Sequence, residues 1–142
     1  MRSKVHIFTD GGSRGNPGPG SGAFIAVISP DGKNFHGGKV VGKDNKYLGI
    51  RTNNESEYMA LIMALEWTGS RGIEEIVIHS DSQLMIRQLT GEYRVKSGRI
   101  KPLYRRVVSL LGGFEWKAIH HTRDHPWIEE CDLLVNRVLD RH

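Results

Sequence analysis

The chain is short of cysteine, of long apolar runs and of aromatic residues, and each shortage removes a class of protein. Cys131 is the single cysteine among 142 residues, so no internal disulfide can form. Flanked by Glu130 and Asp132 and lacking a second thiol, it makes no thiolate metal site and reads as a small filler on a helix. No stretch approaches the ~20 consecutive apolar residues of a membrane span. The first eight residues carry no signal-peptide pattern. A cytoplasmic protein without membrane contact is the expectation. Aromatic residues make up 8% of the chain and build no stacking platform, which disfavours a carbohydrate-cleaving carboxylate pair.

The charge balance points to a polyanionic partner. Lys and Arg number 20 against 16 Asp and Glu, a formal net charge of +4, and a basic excess suits nucleic acid. Internal repeats, low-complexity tracts and linkers are missing. Residues 1–142 are therefore expected to form one domain with its own core and to act as a monomer.

Hydrophobic spacing outlines the elements. Val5, Ile7 and Phe8 suggest a first strand ending at Asp10. A glycine-rich turn over residues 11–22 leads to an apolar second strand at 23–28. Pro30, Asp31, Gly32 and Lys33 supply turn chemistry, and a weaker third strand is expected at 35–41. Residues 43–51 read as a polar loop. Thr52 and Glu55 have the spacing of a capping box, and Tyr58, Leu61, Ile62 and Leu65 follow at helical intervals. Ile76, Val77 and Ile78 form a short strand running into Ser80 and Asp81. A short helix is expected at 82–89, another from Pro102 to Leu111, a last strand around Phe114, Trp116 and Ala118, and a terminal helix striped by Ile128, Cys131, Leu134, Val135 and Val138. A strand meander followed by strand–helix alternation predicts an α/β fold, a mixed sheet with helices packed on it.

Four acids stand at informative places in this layout. Asp10 and Asp81 each follow an apolar strand. If those strands are parallel neighbours, about 4.8 Å apart, their carboxylates converge at one sheet edge, where a cation must offset their repulsion. Glu57 lies in the early turns of the long helix and can lean over that edge, and Asp132 lies early in the last helix. Four carboxylates from four elements suit two divalent ions about 3.5–4 Å apart, the arrangement that cleaves phosphodiesters. Hard oxygen ligands favour Mg²⁺ or Mn²⁺ over zinc. Structural roles compete with this reading: Asp81 as the cap of the next helix, and Glu57 and Asp132 as partners of helix dipoles.

Residues 11–20, Gly-Gly-Ser-Arg-Gly-Asn-Pro-Gly-Pro-Gly, lack the Lys-Ser/Thr ending of a Walker loop and lead into a strand. With Thr9 and Asp10 they resemble the opening signature of the type 1 ribonuclease H family. Thr52-Asn53-Asn54-Glu55-Ser56-Glu57 is similar to the family's T-N-N-x-x-E. Ser80-Asp81-Ser82-Gln83 resembles its [ST]-D-S-Q, and Glu130-Cys131-Asp132 its E-x-C-D. The motifs occur in the family's order from Thr9 to Asp132. The resemblance implies a ribonuclease H-like five-stranded mixed sheet flanked by helices. It implies metal ligation by Asp10, Glu57, Asp81 and Asp132, and endonucleolytic hydrolysis of the RNA strand of RNA/DNA hybrids. It also implies that Gly11, Gly12, Ser13, Asn16, Asn53, Asn54 and Gln83 contact the hybrid, whose 2′-OH groups need polar readers.

This chain departs from the family in two places. Many relatives carry a basic protrusion after the helix that follows Asp81. Here residues 90–101 are too short for it, and Arg94, Lys96, Arg99 and Lys101 are left to replace its charge. Relatives with a catalytic-loop histidine have it where Thr122 stands here. His121, Arg123 and His125 are the candidates nearby. An imidazole titrates near neutrality and can pass a proton, and His125 is preferred as the catalytic group because His-Pro in a loop just before the helix leaves its ring free to swing inward, while Arg123 would act as a fixed charge. Helix entry before Pro126 is the alternative role for His125, and His120 is expected to point into the core. A non-catalytic nucleic-acid-binding module and a related metal-dependent nuclease on the same fold compete with the family activity.

Overall fold

The computed structural model describes residues 4–28 and 38–142. The elements are β1 (Lys4–Ser13), β2 (Gly18–Ile28), β3 (Lys39–Arg51), α1 (Asn53–Ser70), β4 (Glu75–Ser80), α2 (Gln83–Leu89), α3 (Lys101–Leu111), β5 (Glu115–His120) and α4 (Pro126–Leu139). They form one five-stranded mixed sheet in the order β3-β2-β1-β4-β5. β1–β2 and β2–β3 are antiparallel, whereas β1–β4 and β4–β5 are parallel.

Side-chain alternation along the strands feeds two cores. From β1, Val5 and Ile7 join Phe24, Tyr58, Leu61, Leu65, Ile76 and Ile78 in the larger core, on the face covered by α1 and α3. Phe8 points the other way and packs with Ile25, Val27, Ile128 and Cys131 under α4. The period of two sorts each strand between these layers. Cys131 is buried in the second core, as the filler role anticipates.

α1 begins where the capping box sets it. Thr52 Oγ1 accepts from the Glu55 amide at 3.1 Å, and the Thr52 amide donates to Glu55 Oε1 at 2.9 Å. Glu55 also pairs with Arg51 at 3.7 Å and with Arg99 at 3.4 Å, binding the segment after α2 to the head of α1. Among the described residues no helix separates α2 from α3, in keeping with the short segment that replaces the basic protrusion.

Two stretches differ from their expected form. Residues 43–51 are strand, not loop. β3 is an edge strand paired only with β2 and mostly solvent-facing, with Leu48 its one buried residue, so it lacks the alternation that marks a half-buried strand. Residues 11–13 and 18–22 are also strand, paired Gly11↔Gly22, Gly12↔Ser21 and Ser13↔Gly20. Glycines carry no side chains to display a period, and only the residues between β1 and β2 make the turn. The expected turn at Pro30 to Lys33 and the start of the third strand at Phe35 lie outside the described residues.

Tyr58, fully buried on α1, donates its hydroxyl to Gln88 Oε1 of α2 at 2.6 Å. Tyr58→Phe would leave that buried acceptor unsatisfied, at a cost of about 1–3 kcal/mol. Urea unfolding should show the loss as a lower midpoint with an unchanged m-value.

Candidate active site

Parallel pairing of β1 with β4 runs through Thr9↔Ser80, so the chain places Asp10 and Asp81 side by side just beyond it. The head of α1 reaches the same point because Gly11 has no side chain. A Cβ on Gly11 would lie 2.3 Å from the Ser56 carbonyl carbon and oxygen and 2.5 Å from the Glu57 nitrogen. Backbone of strand and helix therefore touch there, and Glu57 is delivered beside Asp10. Ligand oxygens of Asp10, Glu57 and Asp81 all lie within 4.8 Å of one another. Asp132, from α4, stands outside this trio but lines the same cleft of about 280 Å³ with Asp10, Glu57 and Arg123. It also shares a hydrogen bond with Asp10.

The structural alternatives for these acids do not hold. The cap of α2 is Ser82, whose hydroxyl accepts from Met85, so Asp81 has no capping duty. Glu57 is the fifth residue of α1 and Asp132 the seventh of α4. Both are past the first turn, where dipole effects concentrate.

Electrostatically the cluster is in want of a cation. Asp10 is pushed up to about 8, first by burial and then by the charges of Asp81 and Asp132. Glu57 is raised well above the usual carboxylate range by burial, then by Asp10 and Asp81. Glu57 Oε2 is buried with no hydrogen-bond partner, although buried polar atoms are nearly always satisfied. An orphaned carboxylate oxygen inside an all-oxygen acidic cluster is the donor set of a hard divalent ion.

Polar residues frame these acids. Asn53 Oδ1 accepts from the Ser13 amide at 2.8 Å, and Asn16 Oδ1 accepts from the Asn53 amide at 3.0 Å. These bonds lace the glycine-rich turn to the head of α1. Asn53 and Asn16 are exposed, as is Gln83 on α2. A second cleft, of about 450 Å³, is lined by Asn53, Asn54, Glu57, Asp81, His121 and Arg123 among others.

The loop between β5 and α4 sorts its candidates. Arg123 Nε donates to Asp81 Oδ2 at 3.1 Å. His125 caps α4, with Nδ1 accepting from the Trp127 amide at 3.2 Å and its ring 5.1 Å from that of Phe8. Its helix-entry role is thus the one seen. His120 is exposed and lines the larger cleft, contrary to the expected inward orientation. His121, one residue on, is the one that turns toward the sheet and packs near Phe8. His120 is the last residue of β5, and at a strand's end parity does not ensure that layers cover the side chain.

Two features escaped sequence reading. His6 and His79 are buried and bonded to each other at 3.0 Å; their placement inside otherwise apolar strands was the available signal. Arg14 in the turn pairs with Asp140 at the end of α4, a contact across 126 positions that leaves no local trace.

Comparison with known proteins agrees with this geometry. Residues 8–125 match the family model described as reverse transcriptase-like. The ribonuclease HI of Halobacterium salinarum is 37% identical over 138 residues, which is 96% of this chain. The chain belongs to the type 1 ribonuclease H family. It spans 65% of that relative's length and 36% of the length of mycobacterial relatives 35% identical to it. The crystal structure of RNase H1 from the same archaeon superposes with a TM-score of 0.88 at 36% identity, covering 98% of this chain and 99% of that one. LC11-RNase H1, crystallised with an RNA/DNA hybrid, gives 0.85 at 30% identity over 96% of this chain and 97% of its own.

Two outcomes test the site's construction. A carboxyl raised in the folded state favours folding below its unfolded value, and that advantage is lost as pH rises through the folded value. In chelator, Asp10→Asn should therefore match the parent's thermal midpoint near pH 4 and exceed it above pH 8, by on the order of 5 °C. Gly11→Ala should lower the midpoint and abolish the calorimetric Mg²⁺-binding signal, because the added methyl must part β1 from α1.

Proposed function

We propose that the chain is an endoribonuclease that hydrolyses the RNA strand of RNA/DNA hybrids with two divalent ions, Mg²⁺ by preference. Asp10, Glu57, Asp81 and Asp132 are their ligands. The observation that carries this reading is the Asp10–Glu57–Asp81 cluster with its orphaned buried Glu57 oxygen, set beside exposed polar side chains on a basic protein. The relative crystallised with a hybrid supports the choice of substrate. The 142 residues serve as one catalytic domain, a monomer in the cytoplasm; among the described residues no helix is long and apolar enough to cross a membrane.

Ions bound there supply Lewis acidity to water and to the scissile phosphate. The protein's part is positioning. Asp10 and Glu57 come to the site with their carboxyls raised, so they release protons as cations bind. Gly11, Gly12 and Ser13 bring bare backbone to the cleft edge, where a nucleic-acid strand can approach closely. Asn16, Asn53, Asn54 and Gln83 offer amide donors and acceptors to 2′-OH groups in the wide minor groove. The contacts of the loop favour Arg123 over His125 as its working residue. Arg123 already faces Asp81 and can steady the charge that builds at the leaving oxygen, whereas His125 is engaged at the head of α4.

Digestion of a labelled RNA/DNA hybrid, its RNA single strand and duplex DNA should give Mg²⁺-dependent cutting of the hybrid alone. Deoxy substitution at the 2′ positions beside the scissile phosphate should slow it. Asp10→Asn and Glu57→Gln should lose at least ~10³-fold in kcat while still binding hybrid, since removing a metal ligand withdraws the Lewis acid and spares the polar contacts. Hybrid binding without cleavage by the parent chain would favour the non-catalytic module, and equal cutting of duplex DNA a broader nuclease. Arg123→Ala should lower kcat by about 100-fold, at the low end of the cost of one lost electrostatic donor, and His125→Ala should lower it less.

A further inference from the structure

Three imidazoles run diagonally across the sheet toward the candidate active site. His6 of β1 is in register with Val77, and His79 lies two residues further along β4. His79 is in register with Ile119, and His121 lies two residues further, just past β5. Such diagonal neighbours share a face and lie within reach of ring side chains. His6 Nδ1 meets His79 Nε2 at 3.0 Å, and His79 Nδ1 meets His121 Nε2 at 2.6 Å. Each contact needs one proton, so a neutral His79 donates through one nitrogen and accepts through the other. Phe8 stacks on His79 with centroids 4.4 Å apart and rings 12° from parallel. The row is buried at His6 and His79 and surfaces at His121.

His121 opens the loop that carries Arg123. Its backbone amide donates to the Ser80 carbonyl at 2.9 Å, while its ring is held by His79. At the other end of the loop, His125 is seated on Phe8 and lies 4.6 Å from the His121 ring. Only Thr122, Arg123 and Asp124 lie between these anchors. The Arg123 side chain is 90% exposed, and among the described residues it forms an ion pair with Asp81. Asp81 is nearly buried, but a single pair whose arginine stem lies in solvent does little by itself to hold that long side chain in one geometry. The orientation of Arg123 therefore depends on where the loop begins.

We propose that His79 and His121 are positioning residues, a half-buried imidazole pair that aims Arg123 at Asp81. The proposal rests on the reading of Arg123 given above. Neither histidine is a ligand or a proton donor in the reaction; both act through the backbone they hold. Thr122, which stands where relatives carry a loop histidine, needs no chemical role in this arrangement, because the chain supplies its loop cation one residue later on an anchored base.

A double-mutant cycle on hybrid cleavage tests this. His121→Ala is expected to lower kcat about tenfold, with KM for the hybrid and the Mg²⁺ midpoint within about twofold of the parent, as for an interaction made only in the transition state. His121→Gln, whose amide can reach the position of Nε2, should restore most of the rate. In an Arg123→Ala background His121→Ala should cost nothing further. His121→Leu, which keeps the volume and removes the hydrogen bond, should behave as the alanine variant does and covers the case in which that variant fails to fold. An equal loss in the Arg123→Ala background, or no loss in the parent, overturns the positioning role and leaves the role of Arg123 standing. A parent-like rate for Arg123→Ala alone overturns that role, and the positioning proposal falls with it.

Discussion

At Gly11 the backbone of a strand touches the backbone of a helix, and there is no room for a methyl group between them. This contact is the constraint on which the site depends. It brings Asp10, at the end of β1, against Glu57, in the second turn of α1. The capping box at Thr52 and Glu55 sets where that helix starts, and hence which residue reaches the strand. Asp81 follows from the parallel pairing of β1 with β4. Local chain chemistry thus delivers each acid, and one close approach makes them a cluster.

The cluster is electrostatically costly, and the fold tolerates it because two cores flank it. Val5 and Ile7 on one face and Phe8 on the other tie β1 into both layers. Strands so anchored do not splay when the carboxylates at their ends repel. The burial that secures them also withdraws water from Asp10 and Glu57 and raises both. Stability and reactivity pull against each other here, as is common where function needs uncompensated charge. A divalent cation held by these carboxylates would relieve the conflict directly. Arg123, from an exposed loop, relieves only part of it.

The aromatic and imidazole rings beneath α4 tie this loop to the strands. Phe8 packs on His79, His121 and His125, and His121 on His79 and His125, with ring centroids 4.4 to 6.4 Å apart. The side chains that line the second core thereby also fix the entrance to α4. A polar row within a hydrophobic layer is tolerated because imidazoles can satisfy one another, one proton per contact.

Much of this was legible before folding. Motifs around Asp10, Glu57, Asp81 and Asp132, with the cap at Thr52, located the four acids and implied their family. Apolar runs in β1, β2 and β4 and the helical stripes of α1 and α4 made the mixed sheet predictable, because strands covered on both faces read as near-continuous hydrophobic runs. β3 was misread over residues 43–51, since an edge strand facing solvent carries little such imprint. Glycines at 11–13 and 18–22 concealed strand for a related reason: without side chains there is no pattern to read. The sequence alone could not show that Arg123 faces Asp81 while His125 caps α4, or turn His120 outward. Those outcomes depend on how a loop is seated on rings from distant strands. Sequence by itself determined which chemical groups are present and which segments carry them. Tertiary structure decided that a bare glycine backbone sets two carboxylates side by side and that the arginine, not the histidine, faces them, because packing across 42 or more positions settles distances that local spacing cannot.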